Sequence, residues 1–263
     1  RLSSAGDCRG SVAWGAAEGN GKNIVGGTPD AVLNGAVGYA AGMVGTGFFF
    51  PVAGYGSIAN QIVTPASAAL DVGTSAGFTI EGWINPTVTN RAQAIIEWNS
   101  GVGVGAAPIG VHLWLSVSSL AGDLYANLRD TSGGDHTVSG PNGTLSAGSF
   151  QHVALTYDRV SGIARLFRNG VAVATANLGS FVPQTSFPLY FGNRVAGNIS
   201  GASFAGVQDE FGVHNTALTA TEIAGIYNAG SAGKLGPSVS PSAQILLNQA
   251  PLTNVVAGRF GQT

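Results

Sequence analysis

The chain has 263 residues, of which 41 are glycine and only 9% are Asp, Glu, Lys or Arg, with a formal net charge of −2. So much glycine excludes a helical bundle, since each interior glycine costs a helix roughly 1 kcal/mol. The charge balance leaves no basic footprint for nucleic acid or anionic lipid, no apolar run approaches the roughly 18 residues of a membrane-spanning helix, and a 44% hydrophobic share argues against disorder; what remains is a turn-rich all-β protein.

The N-terminus has neither an initiator Met nor a signal-peptide pattern, so the chain reads as a mature or excised fragment, with the composition of a secreted surface protein. Cys8 is the single cysteine. It rules out an internal disulfide and a multi-thiolate metal site, leaving a loop thiol or an intermolecular bridge. Period-two alternation then predicts strands. In Phe78 to Pro86, Phe78, Ile80 and Gly82 face one way, and Thr79, Glu81 and Trp83 the other. In Val111 to Val117 the apolar side is Val111, Leu113, Leu115 and Val117, and His112, Trp114 and Ser116 lie opposite. Asp123 to Arg129 repeats this, with Leu124, Ala126 and Leu128 set against Asp123, Tyr125, Asn127 and Arg129. Trp14 and Trp98 read as packing residues.

Gln151 to Gly179 predicts a meander. One strand ends near Tyr157, a second covers Ile163 to Arg168, and Val171 to Ala176 returns. Asn169-Gly170 between the last two supplies the positive φ values of a type I′ hairpin. One helix is predicted, with Thr219 as N-cap, Glu222 completing a capping box, and Leu218 and Ile223 forming a hydrophobic staple. Ile223, Ile226 and Tyr227 make its apolar stripe and Gly230 its stop. Residues 236–242 read as a linker, and 243–263 as an extended segment with strand candidates at Ile245 to Leu247 and Leu252 to Val256. Two strands do not fold alone. This segment therefore packs on the body at 1–235, pairs with another molecule, or begins a further domain.

The runs FTIEGWINP, HVALTYDRVSGIARLFRNGVAV and DEFGVHNTALTATEIAGIYNAGSAGK, with the opening from Trp14 to Phe50, resemble the laminin G-like, concanavalin A-like jelly-roll domains of secreted bacterial proteins. The resemblance implies a two-sheet antiparallel jelly-roll sandwich, one sheet convex and one concave, and a calcium ion at its rim. Glu18 and Asp209 stand where the family's acidic residues stand. The sequence departs from the pattern at Asn23, where an aspartate is common, and at the PVAGYG loop after Phe50. Fewer carboxylates mean weaker calcium. Without calcium, Asp209 reads as a buried carboxylate capping backbone amides.

If the central strands adjoin, Glu81, Trp83, Glu97, His112, Trp114, Asp123, Tyr125 and Arg129 form one aromatic, hydrogen-bonding surface suited to a carbohydrate. The competing reading leaves Trp83 and Trp114 as filling of a curved sheet. A retaining glycosidase needs two carboxyl groups about 5 Å apart, which Glu81, Glu97 and Asp123 meet only by cross-strand pairing. The Glu-x-Asp-x-x-Glu strand of related sandwich glycosidases is missing, and the adjacent Asp209 and Glu210 point to opposite faces. Gly101 to Ala107 lacks the strand-to-helix setting of a dinucleotide loop and reads as turns. The expectation is a non-catalytic extracellular binding or adhesion module for a glycan or cell-surface partner. The alternative is a subunit of a homopolymeric surface filament or layer, in which residues 243–263 add a strand to a neighbour.

Overall fold

The computed structural model describes residues 10–25, 27–52, 57–117 and 121–234. Cys8, the linker at 236–242 and the segment 243–263 lie outside the described residues. Fifteen strands are described: β1 (Ser11–Gly15), β2 (Val32–Asn34), β3 (Gly38–Ala41), β4 (Thr46–Phe50), β5 (Gln61–Thr64), β6 (Gly77–Pro86), β7 (Gln93–Asn99), β8 (Ile109–Leu115), β9 (Leu124–Asn127), β10 (Thr137–Ser139), β11 (Gln151–Asp158), β12 (Ile163–Arg168), β13 (Val171–Asn177), β14 (Leu189–Phe191) and β15 (Gly206–His214). They are followed by a helix, α1 (Ala220–Ala229).

All pairings are antiparallel and build two sheets. One runs β13-β12-β11-β6-β15-β4-β3, with β1 also on β15, and the other runs β10-β9-β8-β7-β14-β5-β2. The inward sets of the alternating strands form one core between them. Phe78, Ile80, Ile84, Val153 and Leu155 come from the eight-stranded sheet, and Ile96, Trp98, Val111, Leu113 and Ala126 from the seven-stranded one. This is the expected jelly-roll sandwich. Trp98 is fully buried, as its packing role requires. Gly82 belongs to the inward set because a Cβ there would come within 2.6 Å of the Phe211 ring. The strand gives up a side chain to seat that ring.

The meander forms as read, and Asn169 and Gly170 take φ values of 50° and 78°, the positive pair of a type I′ turn. The helix begins at Thr219, whose hydroxyl accepts from the Glu222 amide while the Glu222 carboxylate accepts from the Thr219 amide. It ends at Gly230, φ 50°. Leu218, Ile223 and Ile226 pack on Ala154 and Phe167, which lie on the outer face of the eight-stranded sheet. Each buried isoleucine contributes about 1.5–3 kcal/mol. The helix is therefore a roof on one sheet, a placement that decides the fate of the residues beneath it.

Candidate functional site

β7, β8 and β9 are neighbours, and their registers put Glu97 opposite His112, His112 opposite Asn127, and Trp114 opposite both Ala94 and Tyr125. Period two turns Glu97, His112, Trp114, Tyr125 and Asn127 to the outer face of the seven-stranded sheet. A cavity of about 180 Å³ opens there. Its walls include Ala106 and Ile109 on one side, Asn198 and Ile199 on another, and Arg129 and Asp135 on a third. The first two walls are tied together, since the Asn198 amide donates to Gly105 O at 2.8 Å. Ile199 carries a φ of 59°, an unfavourable conformation for a β-branched residue.

Under the cavity lies a buried ion pair, Arg194 Nη2 and Glu97 Oε2 being 2.8 Å apart. Arg194 Nε donates to both Glu97 oxygens, at 3.0 and 2.8 Å, and its Nη1 donates to Asn198 O at 3.1 Å. Its guanidinium carbon rests 4.1 Å from the centre of the Trp114 ring. Trp114 Nε1 and Asn99 Nδ2 also donate to Glu97, at 3.0 and 2.6 Å. Burial pushes the Glu97 carboxyl above its ordinary value, and Arg194 and these donors offset that only in part.

His112 is neutral. Burial, and then the charge of Arg194, push its pKa down to about 3. Its Nδ1 lies 3.0 Å from Gly110 O. A carbonyl only accepts, so Nδ1 carries the proton and Nε2 is left as an acceptor. Tyr125, half-buried, has its ring centre 6.1 Å from that of His112. Arg129 Nη1 donates to Asp135 Oδ1 at 2.6 Å, as does Asn127 Nδ2 at 2.9 Å. Burial alone would raise the Asp135 carboxyl; those donors hold it below its ordinary value.

The structure thus brings together Glu97, His112, Trp114, Tyr125 and Arg129 and separates the other three expected residues from them. Glu81 and Trp83 lie on β6, in the opposite sheet, facing outward under the roof. Trp83, 4% exposed, is covered by Tyr227 of α1, ring centres 5.7 Å apart. Asp123 is buried before β9, its carbonyl accepting the Ser116 amide, and it does not line the cavity. Trp114 is only 1% exposed, so it is the bed for Arg194 rather than a platform for a sugar. Alternation turned His112, Trp114 and Tyr125 outward as the structure does, but it put Val117 inward. Instead β8 ends at Leu115, Ser116 takes a φ of 59°, and Val117 packs on the Trp114 cluster and lines the cavity. Both sheets, moreover, have an outward face. Arg194 and Asp135 were missed because they come from loops, and the one available signal was a rare basic residue inside the apolar, glycine-bearing stretch around residue 194.

Glu18 and Asp209 both lie against the turn between β3 and β4. A Cβ on Gly45 would lie 2.3 Å from Glu18 Oε1, and one on Gly42 would lie 2.5 Å from Asp209 Oδ2. The Val44 amide donates to Asp209 Oδ2 at 2.9 Å, while buried Asp209 Oδ1 has no hydrogen-bond partner. Burial pushes the Asp209 carboxyl up to about 6, with a smaller push from Glu18 that main-chain donors oppose. Two carboxylates at one turn, one of them with an orphaned oxygen, fit a hard cation. No group of three or more His, Cys, Asp or Glu side chains placed to hold a metal occurs among the described residues, so calcium's six to eight oxygens would come largely from the main chain and water.

No curated protein matches the sequence. Among solved structures, domain 4 of AbnA, a GH43 extracellular arabinanase from Geobacillus stearothermophilus, in complex with arabinotriose, superposes with a TM-score of 0.58 at 16% identity. The match covers 81% of this chain and 96% of that one. The binding domain of botulinum neurotoxin DC in complex with SialylT gives 0.60 at 13% identity, over 84% and 51%. The CBM40 of Ruminococcus gnavus IT-sialidase bound to alpha2,3 sialyllactose gives 0.51 at 21%, over 60% and 86%. The chain spans about half the length of the toxin binding domains it matches. At these identities the likeness is one of fold. The family model of the laminin G-like, concanavalin A-like lectin/glucanase superfamily matches residues 56–224, and to that superfamily the chain belongs.

Proposed function

We propose that this domain is a non-catalytic, extracellular glycan-binding module whose site is the cavity on the outer face of the seven-stranded sheet. The observation that carries the reading is the mixture of groups around one cavity: the bare Nε2 of a neutral His112, the phenol of Tyr125, and the Arg129–Asp135 pair. Sugar hydroxyls donate and accept at once, and a site with both kinds of partner beside an aromatic surface matches them. The structurally similar domains solved in complex with arabinotriose, SialylT and sialyllactose support this use of the fold. A binding role also suits the carboxylates, since Glu97 is locked to Arg194 beneath the cavity and Asp135 is held by Arg129 at its rim. Neither is poised as a general acid.

A glycan array with wild type, Tyr125→Ala and Trp83→Ala tests the site. Tyr125→Ala should abolish the signals, whereas folded Trp83→Ala should keep them. Unchanged binding by Tyr125→Ala sinks the assignment. Calcium at Glu18 and Asp209 is part of the same proposal, as a brace for the β3–β4 turn. An ion held only by the folded state adds about 2.7 kcal/mol at a hundredfold excess over Kd. A Tm indifferent to EGTA retires it.

A further inference from the structure

The glycan reading leaves the class of sugar open. Resting on it, we infer that the cavity takes a sugar bearing an anionic group, a carboxylate or a sulfate ester, and that Arg129 is the anchor for that group. The Arg129 side chain is only 13% exposed, yet a single one of its three nitrogens is engaged. Nη1 bonds to Asp135, while Nε and Nη2 have no hydrogen-bond partner among the described residues. A guanidinium offers its donors as a planar fork that matches paired anionic oxygens. Arg194, the other cation of the cavity, is turned to Glu97 instead: Nε donates to both carboxylate oxygens, Nη2 lies 2.8 Å from Oε2 in the ion pair, and Nη1 donates to the Asn198 carbonyl.

The counter-charges point the same way. Asp135, 57% exposed, is a solvent-screened and replaceable partner for Arg129. Glu97 is fully buried against Arg194, Trp114 and Asn99 and repels a ligand anion less than its charge suggests. The surface offered to the ligand therefore has one under-bonded cation and no buried anion to match it. At His112 the charge of Arg194 adds to burial in lowering the pKa, while Asp135 raises it and Arg129 lowers it by less, so the pull of Arg129 on an anion is felt in full only where a ligand takes the place of Asp135.

The test is calorimetric titration of the full chain with free N-acetylneuraminic acid, glucuronic acid and galactose 6-sulfate, against galactose and glucose. The acidic sugars should bind at least about tenfold more tightly than the neutral ones, and their ranking separates carboxylate from sulfate. Arg129→Gln should cost about tenfold to a hundredfold in affinity for the acidic sugars. Arg129→Lys, which keeps the charge and loses the fork, should fall between. Circular dichroism and Tm of each variant check folding. Neutral sugars binding as well as acidic ones, or full affinity in folded Arg129→Gln, would overturn the inference. The glycan reading would survive that result provided Tyr125→Ala still lost binding, whereas no binding of any sugar would remove both.

Discussion

The outer faces of the two sheets carry nearly the same set of side chains and put it to different uses. On the eight-stranded sheet Glu81 receives Lys234 Nζ at 2.7 Å, His152 Nε2 at 3.1 Å and His214 Nε2 at 3.2 Å, with Trp83 against His152. On the seven-stranded sheet Glu97 receives Arg194, Trp114 and Asn99, with His112 beside Trp114. The first set is roofed by α1 and by the turn that delivers Lys234, which also bonds the Glu210 carbonyl. The second is left open and becomes the floor of a cavity. Burial pushes both carboxyls up, but Lys234 and the two imidazoles outweigh it at Glu81, which ends well below its ordinary value. At Glu97 burial wins. A glutamate, a cation, a histidine and a tryptophan on an outward face are thus not in themselves a site; what covers them decides.

The sharpest way to break this comparison is to remove the cations. Lys234→Met leaves a buried charge that only hydrogen bonds stabilise, and should cost about 3–5 kcal/mol in urea unfolding. Glu81→Gln combined with Lys234→Met should recover much of that loss. Arg194→Met should cost less, about 2 kcal/mol, because the already raised Glu97 carboxyl can take up a proton and relieve the unpaired charge. Equal losses at the two sites would mean that the roof makes no difference.

A pH series sharpens it further. His112 has a folded pKa of about 3 against roughly 6.5 unfolded. Its contribution to stability is complete above pH ~6.5 and is lost as the pH falls toward 3, at up to about 1.4 kcal/mol per pH unit. The raised carboxyls of Glu97 and Asp209 act in the opposite direction. The measurement is therefore the difference between wild type and His112→Gln, which should move against wild type on acidification. A difference independent of pH from 7.5 to 4 would show that His112 is not held neutral. The smallest effect belongs to the roof's own edge. Thr219→Ala removes one half of the capping box and should lower stability by about 1 kcal/mol without changing affinity at the open face.

Much of the architecture was legible in the residues. The alternation in Phe78 to Pro86, the Asn169-Gly170 turn and the Thr219–Glu222 box each follow from short-range sterics and hydrogen bonding, which act within a few residues and leave their pattern in the chain. The candidate site was legible only by halves. His112, Trp114, Tyr125 and Arg129 do line one cavity, because β8 pairs directly with β9 and Arg129 follows two residues after it. Glu81 and Trp83 were misplaced because alternation reports that a side chain faces away from the core and never to which sheet its strand belongs.

What the sequence by itself determined is therefore the class of fold, the inward and outward faces of its strands, and the helix with its two ends. The tertiary structure alone decided that β6 lies across the sandwich from β7, β8 and β9, that α1 covers one outer face, and that Arg194 arrives from nearly a hundred residues away to neutralise Glu97. The division has a physical cause. Periodicity and capping are local energies, whereas the partner of a strand and the cover of a face are set by closing long loops around a shared core, a choice recorded in no short stretch of chain.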